Sequence, residues 1–120
     1  MAGYVTNIED KTEENQNFRQ VLFTAPHSQL VVMSLKANEN IGMEVHPNVD
    51  QFIRIEEGEG KAILDGEEHK LESGSAVVIP AGTKHDIVNT SDKEELKLYT
   101  IYSPPQHPEG TIHKTKTEAI

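Results

Sequence analysis

Cysteine is absent from the 120 residues. Disulfides and thiolate metal sites are therefore excluded, and any metal must be held by histidine, carboxylate or amide side chains. A reducing cytosol fits this composition. Tryptophan is absent too, and aromatic residues make up 5% of the chain, which leaves little material for stacking nucleic-acid bases. Basic residues are scarce. Eleven of them against 20 acidic residues give a net charge of -9, which repels phosphate backbones and anionic membranes. The expected partner is a small molecule or another protein. The longest apolar runs, LVVM and AVVIP, are far too short to span a membrane. The opening residues MAGYVTNIED lack the basic start and apolar segment of a signal peptide, so the expected compartment is the cytoplasm.

The length suits one compact domain. Residues 1–17 are polar and read as a loose arm, with a helical turn near Asp10–Glu14. From Phe18 to Ser103, short β-branched runs alternate with turn signals, the mark of an all-β sandwich or barrel. Strands are expected at 18–25, 29–36, 43–46, 51–57, 61–64, 67–71, 76–80, 85–90 and 95–103. Asp65-Gly66 is a strong two-residue hairpin signal. Pro104, Pro105 and Pro108 make residues 104–120 an irregular tail, which could cover a pocket or cross to a partner subunit.

The stretch GMEVHPNVDQFIRIEEGEG places Glu44, His46 and Gln51 around a Pro-Asn-Val-Asp break. On a helix, Glu44 and His46 would point about 200° apart. On a strand they share one face, roughly 7 Å apart. They form a site only as part of a strand. Gln51 has the wrong parity for one continuous strand, but the break is turn chemistry. A returning antiparallel strand puts Gln51, Ile53 and Ile55 on the inner face. A further stretch, GSAVVIPAGTKHDIVN, delivers His85 from a tight turn at Pro80 and Gly82, with Ile87 and Asn89 on the same face. Two imidazoles, one carboxylate and one amide oxygen suit a divalent Fe, Mn, Zn or Ni ion.

Gly74, Pro80, Gly82, His85 and Asn89 match G-x5-P-x-G-x2-H-x3-N, the second cupin motif, without departure. The first cupin motif, G-x5-H-x-H-x4-E-x6-G, is approached by Gly42, Glu44, His46, Gln51 and Gly58. Glu44 stands where that motif has its first histidine, Gln51 where it has its glutamate, and Gly42 is displaced toward the first ligand position. The chain thus resembles the cupin superfamily over about residues 29–103, and within it small bacterial proteins of the mannose-6-phosphate isomerase-like grouping. The resemblance implies a single-domain jelly-roll β-barrel, usually a homodimer, with a metal in its mouth. The ligand positions fall on Glu44, His46, Gln51 and His85. Relative to the family set, the carboxylate has moved and one negative ligand charge is kept.

These readings point to a metal-dependent cupin acting on a small organic molecule by isomerase- or oxygenase-type chemistry. Glu44 is a general base if it sits just off the metal. The competing readings are a cupin that captures a small ligand such as a sugar without chemistry, and a metal-free structural barrel. No Ser, Cys or Lys nucleophile stands at motif spacing from a base, which disfavours covalent catalysis. Asn89 reads as a structural amide bonding a loop. Arg54 and Lys84 have outward parity. His27, His69, His107 and His113 show no partner spacing and are expected in solvent. Alternation leaves open whether Leu98, Thr100 and Tyr102, or Tyr99 and Ile101, face the pocket.

Overall fold

The computed structural model describes residues 2–119. Two antiparallel sheets face each other in a jelly-roll barrel. One sheet has the order β6-β3-β8-β2-β1-β9, with β6 at Ala76–Ile79, β3 at Asp50–Glu57, β8 at Leu96–Ser103, β2 at Gln29–Leu35, β1 at Arg19–Thr24 and β9 at Ile112–His113. The other has the order β5-β4-β7, with β5 at Glu67–Leu71, β4 at Gly60–Leu64 and β7 at His85–Asn89. The Asp65-Gly66 turn joins β4 to β5 with both residues at positive φ, 48° and 85°, as a type I′ hairpin requires.

Alternation along the strands sorts inside from outside. On β3, Gln51, Ile53 and Ile55 are buried, as expected. On β8 the inward set is Leu96, Leu98, Thr100 and Tyr102, which settles the parity that the sequence leaves open. Register aligns these residues in rows across the sheet. Gln51, Tyr102 and Gln29 form a polar row, whereas Ile55, Leu98 and Met33 form an apolar one. The barrel therefore has an apolar body and a polar end, and that polar end is where chemistry can be housed.

Three expectations are corrected. Residues 43–46 form no ladder strand; Glu44 makes a lone antiparallel bridge to His85. The N-terminal segment is not loose. It holds a helix, α1, at Ile8–Glu14, capped by the Asn7 side chain, which accepts the Asp10 N–H at 3.0 Å. This helix packs against β2, β3 and β8. Behind it, Thr12 and Asn15 are buried and the Lys97 ammonium donates to the Asn15 carbonyl. The tail is not wholly irregular either. Its strand β9 pairs with β1, and a 3-10 turn at Lys116–Ala119 brings Ala119 against the core. The tail thus folds back on its own barrel. Among the described residues no helix is long and apolar enough to cross a membrane.

Candidate metal centre

Glu44 and His85 meet as a hydrogen-bonded antiparallel pair. Each donates its N–H to the other's carbonyl, at 2.8 and 2.9 Å. Directly opposed residues project their side chains to the same face, so the bridge aims both at one point. His46 lies two residues beyond Glu44, and its carbonyl accepts the Gly82 N–H at 2.9 Å, which locks the Pro80–Gly82 turn beside it. Asp86 holds the approach to Glu44. Its buried carboxylate accepts the Gly42 N–H at 2.9 Å and the Asn40 side-chain amide at 2.8 Å. Gly42 stands at φ 122°, a conformation that side chains with a Cβ resist.

The result is a cluster in which one ligand atom each of Glu44, His46 and His85 lies within 4.8 Å of the others. His46 and His85 are buried, and Glu44 is half-buried. The His85 Nδ1 faces the Thr83 carbonyl at 2.8 Å. A carbonyl only accepts, so Nδ1 carries the proton and Nε2 keeps its lone pair for the cluster. The His46 Nε2 is buried without a hydrogen-bond partner, 3.9 Å from the Glu44 carboxylate. Burial lowers the His46 pKa; Glu44 opposes this, while His85 and Arg19 reinforce it. A neutral imidazole is the form that ligates a metal.

Gln51 projects into the barrel from the polar row. Its amide Nε2 donates to the Thr100 hydroxyl at 3.0 Å, and its Oε1 is left buried with no partner. Its register partner Tyr102 packs edge-on to His46, with ring centroids 6.0 Å apart. Two partnerless polar atoms, His46 Nε2 and Gln51 Oε1, are costly to bury in a pocket that offers them nothing. The Glu44 carboxylate and one nitrogen each of His46 and His85 make a three-donor group that fits a borderline divalent ion, and the partnerless Gln51 Oε1 belongs to the polar row whose Tyr102 touches His46.

The other sequence expectations divide. Asn89 is structural: its amide donates to the Leu35, Lys36 and Glu94 carbonyls and accepts the Ser91 N–H. His27 and His69 are exposed, but His107 and His113 are not. Both are half-buried, and with Phe18, Arg19, Ile41 and Glu44 they line a cavity of about 190 Å³. His107 stacks edge-on to Tyr102 at 5.1 Å, so aromatic contacts run from His85 through His46 and Tyr102 to His107. Burial lowers the His107 pKa to about 4, reinforced by the charges of Arg19, His113 and His46. Burial also raises the Tyr102 pKa to about 12, with Arg19 opposing. Arg19 and Asp86 carry no motif. Alternation with Val21 places Arg19 inward, and that was the one available signal for it.

Comparison with known proteins agrees with this architecture. The cupin-domain family model matches residues 31–102, more than half of the chain. The chain belongs to the cupin family. It is 46% identical to YrkC of Bacillus subtilis over 98% of this chain and 66% of that protein. A protein of Acanthamoeba polyphaga mimivirus is 50% identical over 91% of this chain and 70% of its own length. The chain thus spans about two thirds of the length of these two relatives. The crystal structure of BH2720 from Bacillus halodurans superposes with a TM-score of 0.94 at 45% identity, covering 97% of this chain and 92% of that one.

Proposed function

We propose that Glu44, His46 and His85, with Gln51 as fourth donor, hold one divalent transition metal ion, and that this cupin acts on a small organic molecule at the barrel mouth. The observation that carries the reading is the convergence of three ligand atoms within 4.8 Å beside a buried, partnerless imidazole nitrogen. Iron, manganese, zinc and nickel all suit the donor set. Such an ion, when bound, supplies Lewis acidity or, as iron or manganese, an oxygen-binding site for isomerase- or oxygenase-type chemistry.

The chain's own residues divide the remaining work. Thr100 orients the Gln51 amide so that its oxygen is free. The Thr83 carbonyl fixes the His85 tautomer. Glu44 supplies the one negative charge among the four donors, and its half-exposed position also lets it take a proton from a substrate. Tyr102 keeps its proton at neutral pH.

Elemental analysis of protein purified without a histidine tag tests the reading. About one equivalent of metal per chain is expected. His85→Ala should weaken binding roughly 10–100-fold or more, since even changes around the ligands cost that much. His69→Ala, on an exposed hairpin, should leave binding unchanged. Less than about a tenth of an equivalent after incubation with each of the four metals overturns the reading, as does equal loss in the two variants.

A further inference from the structure

Among the described residues, Arg19 is a buried guanidinium without a counter-ion. The residue is 6% exposed, and its Nε has no hydrogen-bond partner. Its Nη1 lies 3.4 Å from the His113 Nδ1, and its guanidinium sits 5.2 Å from the centre of the Phe18 ring. No carboxylate lies within 4.0 Å of it among the described residues. Arg19 also neighbours the Tyr102 hydroxyl. An unpaired buried charge is destabilising, and five donors in a planar fork are poorly spent on one imidazole, one phenol and one ring face. The cavity that Arg19 lines also contains Glu44, so it opens directly beside the proposed metal centre.

We propose that this cavity binds a small organic acid, its carboxylate paired with the Arg19 guanidinium. The inference deepens the metal-centre reading and rests on it for the placement of the acid's reacting end; the anchoring end rests on Arg19 alone. A guanidinium matches a carboxylate with two parallel N–H···O bonds. The second cation lining the cavity, Lys116, is already engaged, donating to the Asn40 side-chain oxygen at 2.6 Å. The carboxylate that lines it, Glu44, is turned toward His46 and His85. His107 adds a buried Nε2 without a partner, available to a hydroxyl or carboxyl group of the ligand. Among the described residues, Arg19 is thus the cation left for an anion, and Glu44 is left to the ion.

Size limits the acid. The cavity of about 190 Å³ lies below the roughly 300–1,000 Å³ typical of pockets for drug-sized ligands. It suits an acid of a few carbon atoms. A wider hollow of about 460 Å³ beside Glu59, Lys61 and His69 opens on exposed side chains and holds no partnerless buried charge. The net charge of -9 opposes an anion at long range. Physiological salt screens that field beyond about 8 Å, and the pairing with Arg19 is a contact interaction.

Only Arg19 and Arg54 carry guanidinium groups, which makes the test direct. The probes are glycolate, lactate and malonate, each against its primary amide, titrated into the full chain in metal-free and zinc-loaded form. The readout is the pair of arginine Nε–H cross-peaks in a proton–nitrogen correlation spectrum, assigned with Arg54→Lys. At least one acid should shift the Arg19 peak saturably while Arg54 stays still, and its amide should shift neither. Arg19→Lys keeps the charge but loses the fork, and should weaken the acid's apparent Kd about tenfold in a thermal-shift titration. No shift with any acid, equal shifts of both peaks, or equal response to acid and amide overturns the proposal. A protein that binds no metal but whose Arg19 responds refutes the metal reading alone. One that binds metal but whose Arg19 stays silent refutes this inference alone.

Discussion

The side chain of Gln29 forms a two-point hydrogen-bonded pair with the backbone of His107. Its Nε2 donates to the His107 carbonyl at 2.7 Å, and its Oε1 accepts the His107 N–H at 3.0 Å. The same oxygen accepts the Gln106 N–H, and the same nitrogen donates to the Thr24 hydroxyl at 2.9 Å. One buried amide on β2 therefore fixes the segment that places His107 beside Tyr102. Gln29→Leu should leave the His107 peptide groups partnerless, at a cost of about 1–3 kcal/mol. Urea denaturation gives the stability change, and amide exchange should accelerate over residues 106–113 while β3 and β8 stay protected. Unchanged exchange in the tail would show that other contacts hold it.

His107 gives the fold a pH dependence with a definite sign. Its folded pKa is lowered to about 4 from an ordinary 6.5, so the unfolded chain takes up the proton first as the solution is acidified. Its contribution to stability is complete above about pH 6.5 and is lost as the pH falls toward about 4. His107→Phe keeps a ring against Tyr102 and cannot titrate. The urea-derived stability of the variant should fall less steeply across that window than that of the wild type. Parallel curves, offset by a constant, would mean that His107 does not sense the burial described.

The outer face of the large sheet bears an apolar row across five strands. Val78, Phe52, Ile101, Leu30 and Phe23 are cross-strand neighbours in sequence. Val78 is 66% exposed, and Tyr4 stacks on Phe23 at 5.5 Å. A second barrel laid on this row would bury it, and a homodimer formed through this face is the expected outcome. Light scattering at micromolar concentration should give twice the 13.4 kDa of one chain. Phe52→Lys should shift the population toward the single chain by at least about tenfold in dissociation constant. A mass near that of one chain for the wild type would refute the pairing.

The barrel was legible in the sequence because its signals are local. Strand alternation and the Asp65-Gly66 turn each occupy a few consecutive residues, and the structure has eight of the nine expected strands close to their expected places. The ninth, at 43–46, is a single bridge because Pro47 follows at once and the loop at 40–42 is held by Asp86 rather than by a ladder. The clustering of Glu44, His46 and His85 was legible from their spacing and the turn at Pro80–Gly82, although the strand expected to carry Glu44 and His46 is a lone bridge to His85. Arg19, Gln29 and His107 were not legible. Their roles depend on contacts 78 and 94 residues apart along the chain, which no short pattern records. The helix was underestimated because its weight comes from packing and a capping asparagine rather than from an apolar stripe.

The displaced carboxylate of the centre yields the last prediction. Glu44 is half-exposed and carries the charge, while Gln51 is buried and neutral, with its oxygen lacking a partner. If both contact one ion, the site needs a negative charge but can accept it at either position. Glu44→Gln alone leaves a neutral donor set and should lower metal affinity roughly 10–100-fold or more. Gln51→Glu alone should retain the metal. Its new carboxylate sits where the Thr100 hydroxyl can turn to donate to it. Without the ion, however, that buried charge lacks a cation, so the metal-free variant should be less stable than the metal-free wild type, and added metal should restore it. The double variant, Glu44→Gln with Gln51→Glu, should recover much of the affinity lost in Glu44→Gln, because residues sharing one partner are not additive. Metal titration of the four proteins decides the matter. A double variant that binds no better than Glu44→Gln would make Gln51 a structural amide bonded to Thr100, leaving Glu44, His46 and His85 to hold the ion between them.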